Sequence, residues 1–146
     1  MYLRAVEEKD LELLFQWVND NECRKNAFST EKISIQEHKK WFKKKINSLE
    51  TDIFIACIDD EEVGQIRLDY CEEGAIIDYS IAKEKRGNGL GAQMLKLLEK
   101  EMKQKQQQIK LIGKVKFDNI SSQKTFEKQG YEKKECKKYI QYCKFI

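Results

Sequence analysis

Arg86-Gly87-Asn88-Gly89-Leu90-Gly91 stands between a strand-like run, Ala75-Ile76-Ile77-Asp78-Tyr79-Ser80-Ile81-Ala82, and an amphipathic stretch built on Leu90, Met94, Leu95, Leu97, Leu98 and Met102. A glycine-rich turn that leaves a strand and opens a helix aims successive backbone N–H groups at one spot, where the helix dipole adds positive potential. Such a turn suits a phosphate. Glycine lets anionic oxygens approach the main chain closely, and Arg86 at the rim offers a charge-assisted contact to a second phosphate. The spacing G-x-G-x-G departs from the dinucleotide fingerprint, which needs G-x-G-x-x-G after the first strand and an acidic residue about 20 positions later. No G-K-[ST] closes the segment, so it is not a P-loop either. The bland alternative is a glycine turn with no ligand.

Outward from this turn the chain alternates short elements. Tyr2 to Val6 reads as a strand, and Asp10 opens a helix with Leu11, Leu14, Phe15 and Val18 at helical spacing. Asn19 to Thr30 reads as polar and irregular. Ser34, with Glu37 three residues on, caps a helix carrying Ile35, His38, Trp41, Phe42 and Ile46 on one side and lysines on the other. Ile53 to Ile58, the acidic turn Asp59-Asp60-Glu61-Glu62 and Val63 to Asp69 predict a hairpin, to which Ala75 to Ala82 adds a third, central strand. Downstream, Ile109 to Phe117 reads as a strand, Asn119 opens a helix ending at Gln129-Gly130, and two alternating runs, 131–137 and 139–145, finish the chain.

With 146 residues, 40% hydrophobic and 36% charged, the chain suits one folded domain spanning 1–146. It has no apolar run of the roughly 18 residues that a membrane span needs, and its start does not resemble a signal peptide, so a cytoplasmic location is expected and no membrane partner. Residues 1–95 carry a net −5 and residues 96–146 a net +8, a basic C-terminal part that favours an anionic ligand, a phosphorylated cofactor or nucleic acid. Lysines that merely solvate surface faces would give the same count. The basic residues are not interleaved with an aromatic platform, which argues against nucleic acid. The five cysteines are widely spaced, with no C-x-x-C pair and one histidine, so reduced thiols and no metal are expected. Cys57 and Cys71 read as core; a catalytic pairing of a cysteine with His38 is the rarer alternative.

Arg86, Gly89 and Gly91 match the R/Q-x-x-G-x-G/A signature of the GNAT acetyltransferases, and the chain resembles that superfamily along its whole length. Asn119, Ser122, Phe126, Gly130 and Tyr131 are similar to its second block, and Leu3-Arg4 with Asp10, Trp17 and Asn19 to the N-terminal pattern of bacterial members. The resemblance implies an α+β (mixed α/β) GNAT fold, a central mixed, mostly antiparallel sheet of six to seven strands flanked by about four helices. It also implies an acetyl-CoA-dependent N-acetyltransferase. The backbone of Ser80, Ile81 and Ala82 would hold the thioester and pantetheine arm, the N–H groups of Gly87, Asn88, Gly89, Leu90 and Gly91 the pyrophosphate, and Asn119, Ser122 and Phe126 would border the arm. Asn119 reads equally well as a helix N-cap.

Transfer to an amine needs a neutral nucleophile, a donor for the developing oxyanion and a proton source for the CoA thiolate. Many members use a tyrosine where this chain has Phe126; Tyr131, Ser122 or a water would have to substitute. The glutamate base of many N-terminal-amine acetyltransferases has no counterpart in Gly113-Lys114-Val115-Lys116. Asp78, a carboxylate in an apolar strand, is a candidate base whose pKa burial would raise, with a structural Asp as the alternative. His38, beside Trp41 and Phe42, is a candidate base or substrate residue, or a structural imidazole.

Phe15 to Asp20, Arg24 and Ile35-x-x-His38-x-x-Trp41-Phe42 resemble acetyltransferases that modify nucleotide-linked amino sugars in bacterial surface-glycan pathways such as pseudaminic acid synthesis. That implies a small-molecule amine acceptor, with Arg24 and the lysine-rich helix as phosphate contacts and His38 and Trp41 at the sugar. The alternatives are a protein or peptide N-terminal acetyltransferase, a polyamine acetyltransferase, or a catalytically silent CoA-binding module. A homodimer through the terminal strands is a further possibility.

Overall fold

The computed structural model describes residues 1–146. Its elements run β1 (Tyr2–Ala5), α1 (Leu11–Val18), α2 (Asn21–Asn26), α3 (Ile35–Ile46), β2 (Thr51–Ile58), β3 (Glu61–Cys71), β4 (Gly74–Ile81), α4 (Leu90–Gln104), β5 (Lys110–Val115), α5 (Ile120–Lys128), β6 (Glu132–Glu135) and β7 (Ile140–Phe145). One seven-stranded sheet has the order β1-β2-β3-β4-β5-β7-β6, antiparallel at every joint except β4 to β5. Five α-helices flank it, one more than expected: α2 forms inside the stretch that reads as irregular. Its N-cap is Asp20, whose carboxylate accepts the N–H groups of Glu22 and Cys23, a local signal hidden by the absence of apolar periodicity.

Both sheet faces are covered, which is why β2 is apolar throughout rather than alternating. Phe54 and Ala56 enter a core with Leu95, Leu98 and Met102 of α4 and Phe126 of α5. Ile53, Ile55 and Cys57, pointing the other way, meet Leu14 of α1 and Phe42 of α3. The β2–β3 hairpin closes through Asp59 and Asp60, both at positive φ (49° and 63°), the conformation whose twist matches a two-residue hairpin loop. Cys71 is exposed at the end of β3, its thiol 3.3 Å from Glu73, and so is not core; Cys57 is. No helix is long and apolar enough to cross a membrane.

The N-terminal pattern turns out to be scaffolding. Arg4 forks onto buried Asp10 at 2.7 and 2.8 Å, and the Glu7 N–H adds a third bond at 2.8 Å. Burial pushes the Asp10 carboxyl up, but the Arg4 and Glu7 bonds outweigh it and hold it below its ordinary value. A depressed carboxylate stabilises the fold above the unfolded value of about 3.9, and that stability is lost as pH falls through the folded value. Asp10→Asn is therefore expected to cost about 2 kcal/mol in urea unfolding at pH 7, less than a fully buried pair because Arg4 is partly exposed. The difference from wild type should shrink below about pH 4.

Candidate active site

Parallel pairing between β4 and β5 covers only Ala75–Ile77 against Leu111–Gly113. Beyond it the strands part, although β4 stays paired to β3 as far as Ile81. The β5-facing backbone groups of Asp78 to Ile81 thus have no ladder partner, an edge that can bond a polar chain. A cavity of about 580 Å³ occupies the gap. Its wall includes Tyr79 and Phe126 from one side of the sheet and His38 and Trp41 from the other, so the opening joins the two faces.

The glycine turn follows at the end of β4. Gly87, Asn88 and Gly89 are exposed, and Gly89 caps α4 at φ 71°. Its carbonyl accepts the Gln93 N–H, leaving the N–H groups of Leu90, Gly91 and Ala92 without an intrahelical acceptor. Gly91 serves packing: a Cβ there would come within 3.2 Å of the Tyr79 ring and 3.5 Å of Thr125. Leu90 is likewise buried in the core.

Arg86 lies at the cavity end but is not a free phosphate ligand. Its guanidinium meets Asp20 at 2.7 Å and Glu22 at 2.8 Å, and its Nε donates to the Ile81 carbonyl at 3.1 Å. It ties the glycine turn to the start of α2. Arg24, expected to contact substrate phosphate, donates instead to the carbonyls of Val18, Ser29 and Glu31. Asn19 clamps the same loop through both its Nδ2 and Oδ1 to Ile33. Lys39, Lys40, Lys43 and Lys44 of α3 point to solvent and do not line the cavity. Position in sequence could not reveal the Arg86 engagement, since its carboxylate partners come from a distant segment, while Arg24 is held by carbonyls of its own stretch of chain.

Ser80 and Ile81 line the cavity, with Gln65 Nε2 3.3 Å from Ser80 Oγ; Ala82 does not, its N–H being spent on Val63. Asn119 is both cap and wall: Oδ1 accepts the Ser122 N–H at 3.2 Å, and Nδ2 has no protein acceptor.

Asp78 lines the cavity with its side chain 54% exposed, 3.1 Å from Gln65 Nε2 and 3.7 Å from Arg67. Burial, on which its reading as a base rested, is absent because the side chain opens into the cavity. Tyr131 is displaced from the chemistry. It is buried behind Phe126, ring centroids 5.0 Å apart, beside Glu99, and is not on the cavity wall. Burial and the Glu99 carboxylate hold its phenol well above the ordinary value, and its hydroxyl has no hydrogen-bond partner.

His38 is buried and on the wall, between Phe15 and Trp41 at 5.3 and 5.7 Å. Nε2 lies 2.8 Å from the Leu11 carbonyl, which can only accept, so Nε2 carries the proton and Nδ1 is left as an acceptor. Burial lowers its pKa, opposed by that bond, and the ring is neutral at pH 7.

Two features were missed in the sequence. Tyr79 reaches across from β4 to Ser122 of α5, 2.8 Å between oxygens. Beside the cavity, whose wall includes Ala27, Ser29 and Lys114, exposed Phe28 packs edge-on against half-buried Tyr139 at 5.9 Å, and Lys114 Nζ lies 5.5 Å over the Tyr139 ring. Lys116 joins these segments through the carbonyls of Lys25 and Ala27. An aromatic pair among lysines therefore exists, assembled from the loop after α2, strand β5 and the turn between β6 and β7.

A strand pair that splays over a through-going cavity, next to a glycine-capped helix, offers an unpaired strand edge beside open helix N–H groups, an arrangement able to hold an extended polar chain that ends in an anion. The family model for the acetyltransferase (GNAT) domain matches residues 1–132, and the chain belongs to that family. It is an acetyl-CoA-dependent N-acetyltransferase. No curated protein is similar in sequence. Similar solved structures include a spermidine N-acetyltransferase from Vibrio cholerae (18% identity, TM-score 0.81, 99% of this chain and 93% of that one). A ribosomal-protein-alanine N-acetyltransferase from Brucella melitensis (17%, 0.80, 100% of both) and an aminoglycoside acetyltransferase (15%, 0.82, 99% and 94%) share the fold as well. These three acceptor classes on one fold leave the choice of acceptor to the site.

Proposed function

We propose that the protein transfers the acetyl group of acetyl-CoA to a primary amine on a nucleotide-linked amino sugar. The observation that carries this reading is the run of aromatic surfaces along the acceptor side: Trp17, His38 and Trp41 on the wall, then Phe28 and Tyr139 with Lys114 at the outer end. Indole faces suit a sugar ring, and exposed Phe28 with half-buried Tyr139 beside an ammonium suits a base and its phosphates. The resemblance of Phe15 to Asp20, Arg24 and Ile35 to Phe42 to amino-sugar acetyltransferases points the same way.

In this reading the free edge of β4 from Asp78 to Ile81 and Asn119 Nδ2 hold the pantetheine arm. The open N–H groups after Gly89 face the pyrophosphate. His38 Nδ1 takes the proton that the attacking amine releases. A second reading, a polyamine or a peptide N-terminus, is favoured by the carboxylates of Glu37 and Asp78 on the same wall.

The test is a screen of acceptors with detection of the released CoA thiol. UDP-4-amino-sugars should react; silence with them while spermidine or peptide amines react would sink the proposal. Tyr139→Ala is expected to raise KM for the nucleotide sugar about tenfold, the loss of one stacked base, with KM for acetyl-CoA unchanged.

A further inference from the structure

Strand pairing gathers four polar side chains of β3 and β4 on the acceptor side. Gln65 stands opposite Ser80 and Arg67 opposite Asp78, and cross-strand partners share a face. On β2 the same two residues lie opposite Ile55 and Ile53, which pack with Leu14 and Phe42, so the group shares its face with His38 and Trp41. All four line the cavity.

The bonds within the group decide what it leaves open. Gln65 is buried, and its Nε2 lies 3.1 Å from Asp78 Oδ2 and 3.3 Å from Ser80 Oγ. A carboxylate only accepts, so the amide nitrogen belongs on that side, and Oε1 is turned away with no protein donor. Asp78 Oδ1 has no donor either, and the side chain opens into the cavity. Arg67 spends its Nε on Asp69 at 2.9 Å and lays its guanidinium over Trp41, 5.1 Å from the ring centre. Its Nη1 stands 3.7 Å from Asp78 Oδ2, outside hydrogen-bond reach, so the Nη groups keep protons to give. The group thus offers two open acceptors beside one cationic donor.

That mixture discriminates between amines. A polyamine has only protons to give, and a second ammonium set against Asp78 would stand beside the Arg67 guanidinium, a like-charge contact. A hydroxyl both donates and accepts. The glycine turn lies past Ile81, so an arm anchored there runs back along the free edge of β4, and its reacting end arrives at Asp78. We infer that Asp78 and Arg67 read the acceptor hydroxyl next to the reacting amine: it donates to Asp78 and accepts from Arg67. Gln65 holds Asp78 in place, and its Oε1 takes a further proton of the acceptor. Asp78 and Arg67 are then specificity-determining residues. The inference rests on the amino-sugar reading and adds to it a requirement that a polyamine does not meet.

The experiment gives each protein two probes, a UDP-4-amino-sugar with a free 3-hydroxyl and its 3-deoxy analogue, and detects the released CoA thiol. Because both are measured on one protein, a variant that folds less well lowers both rates and leaves their ratio intact. A hydrogen bond to a charged group should give wild type a preference of about thirtyfold in kcat/KM for the hydroxyl compound. Asp78→Ala, at a half-exposed side chain that the fold does not need, should bring the ratio within about threefold of parity, and Arg67→Met should do the same. Equal use of the two sugars by wild type, or a preference kept in Asp78→Ala, would overturn the inference while the amino-sugar reading stands. If neither sugar reacts and spermidine or a peptide amine does, the amino-sugar reading fails and takes the inference with it.

Discussion

Gly89→Val is expected to abolish measurable acetyl-CoA binding in calorimetry, a loss of at least about a hundredfold, while circular dichroism stays close to wild type. Gly89 holds φ 71° at the start of α4, a conformation that a β-branched residue adopts only with strain. The valine would either shift the turn or set two methyl groups over the N–H groups of Leu90, Gly91 and Ala92, which have no intrahelical acceptor. Each outcome removes donors from an anion in a place where the helix dipole counts most. A Cβ at Gly89 meets nothing within 4 Å, so the fold itself should survive. Binding within a few-fold of wild type would show that the pyrophosphate lies elsewhere.

Gly113→Ala should strike stability instead. Its Cβ would fall 2.4 Å from Phe126 Cζ and within 2.8 Å of two more ring carbons. The ring has no room to retreat, being stacked on Tyr142 at 5.3 Å and flanked by Tyr79 and Tyr131. Overpacking of this kind costs about 3 kcal/mol, or roughly 8 °C in Tm for a chain of this size. Phe126→Leu placed in the same chain should recover part of the loss, the mark of a direct contact in a double-mutant cycle. The glycine in β5 is therefore the reason that an aromatic side chain can lie across the sheet where the cavity narrows.

Much of the architecture was legible because it depends on local pattern. The glycine turn, the Asn119 and Ser34 caps and the acidic hairpin turn each need particular residue types at fixed spacing, and all lie where the sequence puts them. The apolar runs of β2 and β4 likewise announce a sheet covered on both faces. Helix α2 escaped because Asn21-Glu22-Cys23-Arg24-Lys25-Asn26 has no apolar stripe; its Asp20 cap and the clamps by Arg24 and Lys116 supply what periodicity does not.

The site was legible in outline and misleading in its side chains. Arg86 and Arg24 looked like free cations, but Arg86 is bound to carboxylates of a distant segment and Arg24 to backbone carbonyls of the loop around it. Asp78 looked buried because its neighbours in sequence are apolar, yet its side chain opens into the cavity. Tyr131 looked near the thioester because it follows the helix, and the ring of Phe126 stands in between.

The sequence by itself determined the order of elements apart from α2, and the glycine turn that opens α4, since these follow from φ preference, capping and hydrophobic period; the free edge of β4 came from the structure. Only the tertiary structure decided which groups stand together and which remain open: the paired hydroxyls of Tyr79 and Ser122, the acceptor Nδ1 of His38, and the Phe28–Tyr139 pair. The physical reason is that a side chain's chemistry depends on its hydrogen-bond partners and its solvation, and here both come from residues tens of positions away.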